Sequence, residues 1–96
     1  MAELDLLIHQ PVRLKIMAAL KALPAGAQIE FVRLRKIVDT TEGNLGAHLG
    51  SLEQAGYLMV EKDFADKRPR TRVKLTRQGR RAFEAYVAGL KDIIGV

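Results

Sequence analysis

Two short runs in the second half of the chain restrict the folds that it can adopt. Leu58 and Val60 occupy every second position of the first run, and Val73 and Leu75 do so in the second. An apolar residue at every second position is typical of a β-strand with one buried face. Because a polar, basic turn joins the two runs, the sequence predicts an antiparallel hairpin over 57–76.

Apolar residues recur at helical spacing in the remainder of the chain. This spacing predicts helices over 11–23, 30–38, 41–55 and 77–94, and a short helical segment over 3–9. The order is therefore three helices, a hairpin and a last helix. We interpret it as a mainly α fold with a small β-hairpin (α+β), arranged as a winged helix-turn-helix.

Length and composition exclude several classes of protein. Ninety-six residues are enough for one domain, which we expect to cover 1–96. The absence of cysteine excludes disulfides and thiolate zinc sites, and it is compatible with a cytoplasmic protein. No apolar run approaches the ~20 residues of a membrane span. No catalytic set or metal spacing is recognisable, so we expect neither an enzyme nor a bound cofactor.

The positive charge of the chain is concentrated in its last third. Residues 1–60 contain six basic and six acidic residues, whereas 61–96 contain ten and five. Eight of the basic residues lie between Lys67 and Arg81, where there is no acidic residue. Charge concentrated in this way favours a polyanionic partner, and double-stranded DNA is the first candidate. The alternative is a solvated basic surface with no partner.

Three motifs resemble those of ArsR- and MarR-type winged-helix regulators. His48–Leu58 resembles their HL-x-x-L-x-x-AG signature, Pro11–Ile16 their P-x-R-x-x-I motif, and Leu75–Arg80 the L-T-x-x-G-R that follows the wing. The resemblance implies a homodimeric, DNA-binding transcriptional regulator whose third helix is the recognition helix. The cysteine metal box of ArsR proteins is absent, and the helices of a MarR ligand pocket have little room, so an effector stays unknown.

The third helix is the predicted base-reading element. If Leu45, Leu49 and Leu52 face the core, the opposite arc is free to enter the major groove, which a recognition helix reads from its N-terminal residues. Asn44 on this arc could pair with adenine. The predicted DNA-binding residues of the helix are Thr41, Gly43, Asn44, Ala47, His48 and Ser51.

Glycine and histidine in this helix leave alternatives open. A helical glycine costs about 1 kcal/mol relative to alanine. Close approach to DNA explains Gly43 better than bending or helix packing does, whereas for Gly50 neither explanation is preferred. His48 lies at the edge of the apolar stripe, where it could contact DNA or satisfy polar groups of the core.

The hairpin is the predicted wing. Its proline stiffens a tip that carries arginine, and narrow minor grooves attract arginine. The other cations are expected to contact phosphates, and the alternative is a solvated hairpin. The predicted DNA-binding residues of the wing are Lys67, Arg68, Pro69, Arg70 and Arg72.

The two ends of the chain are predicted to form a homodimer interface. The apolar stripe of the last helix continues beyond the length needed to cover one small domain, and an unpartnered stripe indicates either core or interface. The predicted interface residues are Leu4, Leu7, Ile8, Tyr86, Leu90, Ile93 and Ile94. A non-specific architectural DNA-binding protein and a winged helix used for protein contacts are the alternative functions.

Overall fold

The structure is a computed structural model and describes residues 4–96. Within these residues, four helices and three strands follow one another along the chain. The predicted fold class, a mainly α winged helix-turn-helix, is confirmed, whereas the dimer interface stays a prediction. The elements are α1 (Pro11–Lys21), β1 (Gln28–Glu30), α2 (Phe31–Val38), α3 (Glu42–Gln54), β2 (Leu58–Ala65), β3 (Arg68–Leu75) and α4 (Arg77–Ile94).

The hairpin belongs to a three-stranded antiparallel sheet with the strand order β1-β3-β2. Ala65 lies opposite Arg68 at the tip, and Leu58 lies opposite Leu75 at the base. On the other side of β3, Ile29 pairs with Val73. Residues 28–30 are too few to show a period of two, so the sequence leaves open whether they form a small strand; the structure shows that they do. Because α2 begins directly after β1, this pairing holds the start of α2 beside the sheet.

The N-terminal segment is a turn and not the predicted helix, as far as residues 4–9 are concerned; Glu3 lies outside the described residues. The Asp5 side chain accepts a hydrogen bond from the amide of Leu7, and the Asp5 carbonyl accepts from Ile8 and His9. Its other carboxylate oxygen accepts from the hydroxyl of Tyr57, which raises the pKa of that tyrosine to about 12, helped by burial. Asp5 therefore stabilises a single turn at the core.

All four helices and the three strands contribute side chains to one core. Ile16, Leu34, Leu45, Leu52 and Val73 are fully or almost fully buried, so each element contributes its apolar stripe. The radius of gyration is 13.9 Å and the longest extent 51 Å. A compact domain of this length has a radius of gyration of about 12–13 Å. The molecule is therefore elongated.

Two threonines set the starts of the helices that follow the loops. The hydroxyl of Thr41 accepts from the amide of Asn44 at the start of α3, and that of Thr76 accepts from Gly79 at the start of α4. Side-chain caps of this kind satisfy helix amides that have no intrahelical partner. Asp39 does not cap α3; it ends α2 in the left-handed conformation, with a φ of 59°. These two caps fix the first residues of α3 and α4.

Within residues 4–96, none of the helices combines the length and the apolarity that crossing a membrane requires. The same residues contain no cluster of three or more histidine, cysteine or acidic side chains that could hold a metal ion.

Candidate nucleic-acid interface

The outward face of α3 consists largely of small residues. Leu45, Leu49 and Leu52 are buried, and Gly43 and Ala47 lie exposed on the opposite side. A β-carbon built at Gly43, Gly46 or Gly50 would meet no other side chain or loop of the described residues within 4 Å. Packing against another part of the described chain therefore does not explain these glycines.

The N-terminal end of this face carries polar groups in a fixed arrangement. Thr41, the N-cap, and Asn44 are both exposed. The side-chain amide of Asn44 donates a 2.7 Å hydrogen bond to the hydroxyl of Thr40. That bond orients the amide and leaves its carbonyl oxygen and a second N–H for a ligand, which is the donor-acceptor pair that adenine recognition requires.

His48 and Ser51 turn away from this face towards α1. Nε of Arg13 donates to Nδ1 of His48 at 3.0 Å, and Nη2 of Arg13 donates to the Ser51 hydroxyl at 3.5 Å. Nη1 of the same guanidinium donates to the carbonyl of Leu7 at 3.4 Å. The structure thus favours a satisfied histidine over a DNA contact at position 48. It places Ser51 at the margin of the outward face of α3, which carries Gly43, Asn44 and Ala47 and is the predicted reading face.

The surroundings of His48 disfavour the charged form of its ring. Desolvation and the nearby positive charge of Arg13 lower its pKa below the ordinary value of 6.5. The unfolded chain therefore binds the proton more readily than the folded one. As a result, the free energy of unfolding rises with pH around the ordinary histidine pKa and falls as the pH drops below about 6.5.

We expect His48→Gln, which keeps an acceptor for Arg13, to reduce the loss of stability between pH 7.5 and 5.5 measured by urea unfolding. Equal losses in the two proteins would contradict a depressed pKa.

The tip of the wing is a two-residue turn. Asp66 and Lys67 both have positive φ, 51° and 64°, as a type I′ hairpin turn requires. Lys67, Arg68 and Pro69 are exposed there. Within residues 4–96, neither Lys67 nor Arg68 has an ion pair with an acidic side chain. Both cations are therefore available to an anionic ligand.

Arg70 and Arg72 differ from the cations at the tip, because both are bound to Asp63 on the adjacent strand. Arg70 binds the carboxylate through Nε and Nη2, both at 3.0 Å, and Nη2 of Arg72 lies 2.8 Å from it. The hydrogen bonds of Arg70, with the charge of both guanidinium groups, hold the pKa of Asp63 below its usual range. Asp63 therefore engages both arginines, although Nε of Arg72 is buried without a hydrogen-bond partner among the described residues. The contact of Arg70 and Arg72 with DNA stays a prediction.

Sequence reasoning missed Arg13 and Asp63, and it also missed the groove between α3 and the sheet. The groove has a volume of about 600 Å³ and opens beside the reading face. The position of Asp63 opposite Arg70 follows from the alternation of the strands once the turn is placed at 66–67. The groove is lined by Phe31, Gly46, Leu49, Gly50, Glu53, Val60, Lys62 and Thr71.

The predicted interface residues fall into two groups. Ile8 and Tyr86 are buried within the chain, and Tyr86 shares a 2.8 Å hydrogen bond with His9. The expectation that these two residues face a partner is corrected, since they complete the core of one chain. Leu4, Leu7 and Leu90 pack against that core and are partly exposed. Ile93 and Ile94 are exposed by 56% and 62%.

The sequence of the chain matches a known protein family and a relative from another organism. Residues 12–94 match the sequence model of a family described as winged helix DNA-binding domain. The chain belongs to this winged helix DNA-binding domain family. An uncharacterized protein of Methanocaldococcus jannaschii is 36% identical to the winged-helix chain over 81 residues, which are 84% of this chain and 85% of the relative.

Solved structures show the same fold. A transcriptional regulator homologue from Pyrococcus horikoshii OT3 matches the winged-helix chain with a TM-score of 0.85 and 34% identity, over 95% of this chain and 87% of the other. A MarR family regulator from Silicibacter pomeroyi has a TM-score of 0.68 and 22% identity, over 93% of this chain and 60% of its own length. The predicted resemblance to MarR-type winged-helix proteins is confirmed.

Proposed function

We propose that the chain is a sequence-specific, double-stranded DNA-binding transcriptional regulator that acts in the cytoplasm as a homodimer. The bare outward face of α3 enters the major groove, where Asn44 reads base edges and Thr41 contacts the DNA. Gly43 and Ala47 leave room for the groove edges. Lys67 and Arg68 at the wing tip contact the minor groove and phosphates.

The observation that carries this proposal is a combination of two features. The outward face of α3 has few large side chains, and the cations at the wing tip, Lys67 and Arg68, form no ion pair in the part of the chain that the structure describes. Glycines in the middle of an exposed helix reduce its stability, and the folded chain gives them no packing role. Groove approach gives a reason for this cost, since a helix face without large side chains can lie closer to bases. The family match and the Pyrococcus horikoshii regulator homologue support DNA as the ligand.

Removing the two cations of the wing tip tests this assignment. We expect Lys67→Ala with Arg68→Ala to weaken DNA binding and to flatten its salt dependence. Each lost phosphate contact reduces the slope of log affinity against log salt by about 0.9, so the double variant loses up to about 1.8. Fluorescence anisotropy at several salt concentrations measures both quantities.

The matched control is Lys15→Ala with Lys21→Ala on α1, which removes the same net charge from another element. We expect its salt slope to stay close to that of the unchanged protein. Equal slopes in the two double variants would contradict a wing contact and indicate that only total charge matters.

The homodimer is proposed from apolar surface at the two chain ends. Leu6 is 82% exposed, and the end of α4 presents Ile93 and Ile94. An apolar surface that remains after the core is complete is typical of an interface. A two-fold dimer places its recognition helices about 34 Å apart, or a multiple of that distance, and so requires an inverted-repeat operator.

We expect Ile93→Glu with Ile94→Glu to convert a dimer into a monomer. Two buried charges without partners are costly at an interface, whereas on a monomer surface they are tolerated. Sedimentation velocity at micromolar concentration measures the mass. Val32→Glu with Ile37→Glu changes two apolar residues of similar exposure on α2 and serves as the control. A monomeric unchanged protein, or a dimeric Ile93–Ile94 variant, would contradict this interface.

A further inference from the structure

An exposed aromatic side chain at the wing tip has no role in the fold. Phe64 is the penultimate residue of β2, and 74% of it is exposed. The residue opposite it on β3 is Pro69, which is also exposed. The two form an apolar pair one step from the turn, at a place where solvated hairpins usually carry polar residues.

This pair lies on the face of the sheet that borders α3. Side chains on a strand alternate between the two faces, so Phe64 shares a face with Val60 and Lys62. Val60 and Lys62 line the groove beside α3 together with Gly46 and Gly50. The apolar pair therefore extends the α3 side of the sheet beyond the groove, towards the tip.

The surroundings of the pair are cationic. Lys67 lies in the turn beside Asp66, Arg68 follows the turn, and Lys62 precedes Phe64 by two residues on the same face. Asp63 is on the opposite face, where Arg70 and Arg72 neutralise it. Duplex DNA is a polyanion whose stacked bases also offer apolar surface. It therefore matches an apolar side chain that is surrounded by available cations.

We propose that Phe64, backed by Pro69, is an apolar wedge that enters the minor groove and contacts a base step, while Lys67 and Arg68 bind the flanking phosphates. The proposal rests on the proposed DNA-binding function and adds a deformation of the DNA to it. Phenylalanine and proline inserted in this way partly unstack a step and kink the duplex by about 20–90°. The wing then favours flexible pyrimidine–purine steps at the position where it docks.

A wedge differs from a phosphate contact in what its removal changes. We expect Phe64→Ala to weaken binding to a selected duplex about tenfold or more and to leave the salt slope unchanged, because no counterion is released by an apolar contact. The bend, measured by energy transfer between dyes at the two duplex ends, is expected to be lost. Phe64→Leu, which keeps an apolar wedge, retains most of both.

Met59→Ala is the matched control, since Met59 is an exposed apolar residue of the same strand on the opposite face. We expect it to bind and bend DNA like the unchanged protein.

A Phe64→Ala protein with unchanged affinity and bend overturns the wedge. A Phe64→Ala protein whose sedimenting mass falls also overturns it, because Phe64 would then serve a protein interface. If the unchanged protein binds no duplex, the proposed function itself fails; if only the Lys67–Arg68 variant loses binding, the function stands without the wedge.

Discussion

Alanine at position 79 is expected to destabilise the protein by about 3 kcal/mol or more, the upper end of overpacking costs. Gly79 is buried in the first turn of α4, and a β-carbon there would lie 1.8 Å from the carbonyl oxygen of Tyr57. That oxygen belongs to backbone and accepts a hydrogen bond from the amide of Thr76, so it has little freedom to move. Relief of the clash requires α4 to separate from the loop between α3 and β2.

Gly50→Ala is the control for this prediction. Gly50 is in an exposed part of α3, where a β-carbon would meet no other side chain or loop of the described residues within 4 Å, so the better helix propensity of alanine stabilises the variant by up to about 1 kcal/mol. Chemical denaturation of both variants measures the difference. If the Gly79→Ala protein were as stable as the Gly50→Ala protein, α4 would not approach Tyr57 as closely as the structure shows.

Glutamate at position 47 is expected to reduce specific DNA binding by about a hundredfold or more while leaving the fold intact. Ala47 is exposed in the middle of the outward face of α3. Placing a carboxylate between two phosphate backbones brings like charges together, which costs several kcal/mol at an interface. Alanine and glutamate are both good helix formers, so α3 itself is little affected.

Ala18→Glu provides the matched control, because it makes the same change at an exposed position of α1. The two variants have equal net charge, so any non-specific repulsion from DNA is the same in both. Anisotropy titrations with a selected duplex compare them. If Ala47→Glu bound as tightly as Ala18→Glu, the outward face of α3 would not be the DNA-contacting surface.

Much of the fold could be predicted because it depends on local patterns. The buried stripe of Leu45, Leu49 and Leu52 follows from helical spacing, and the hairpin follows from alternation. The motif over Leu75–Arg80 has a local physical basis too: its threonine caps α4, and its glycine permits contact with Tyr57. Signals of this kind need only a few consecutive residues.

The remaining features depend on contacts between distant residues. Arg13 and His48 are 35 positions apart, so the bond that turns His48 away from the reading face has no local signal. The apolar spacing of the N-terminal segment predicts a helix, whereas the segment is a turn whose Asp5 binds the hydroxyl of Tyr57, 52 positions away. The engagement of Arg70 by Asp63 requires the register of the hairpin, which is set by the turn at Asp66 and Lys67.

The most direct test of the account is the ratio of two affinities. Duplexes selected by the protein from a random pool and scrambled versions of the same length are titrated at one physiological salt concentration. We predict that the selected duplex is an inverted repeat and that it is bound about a thousandfold more tightly or better, as base-reading regulators bind. Equal affinities for the selected and scrambled duplexes would contradict base reading by α3 and leave a non-specific DNA-binding protein.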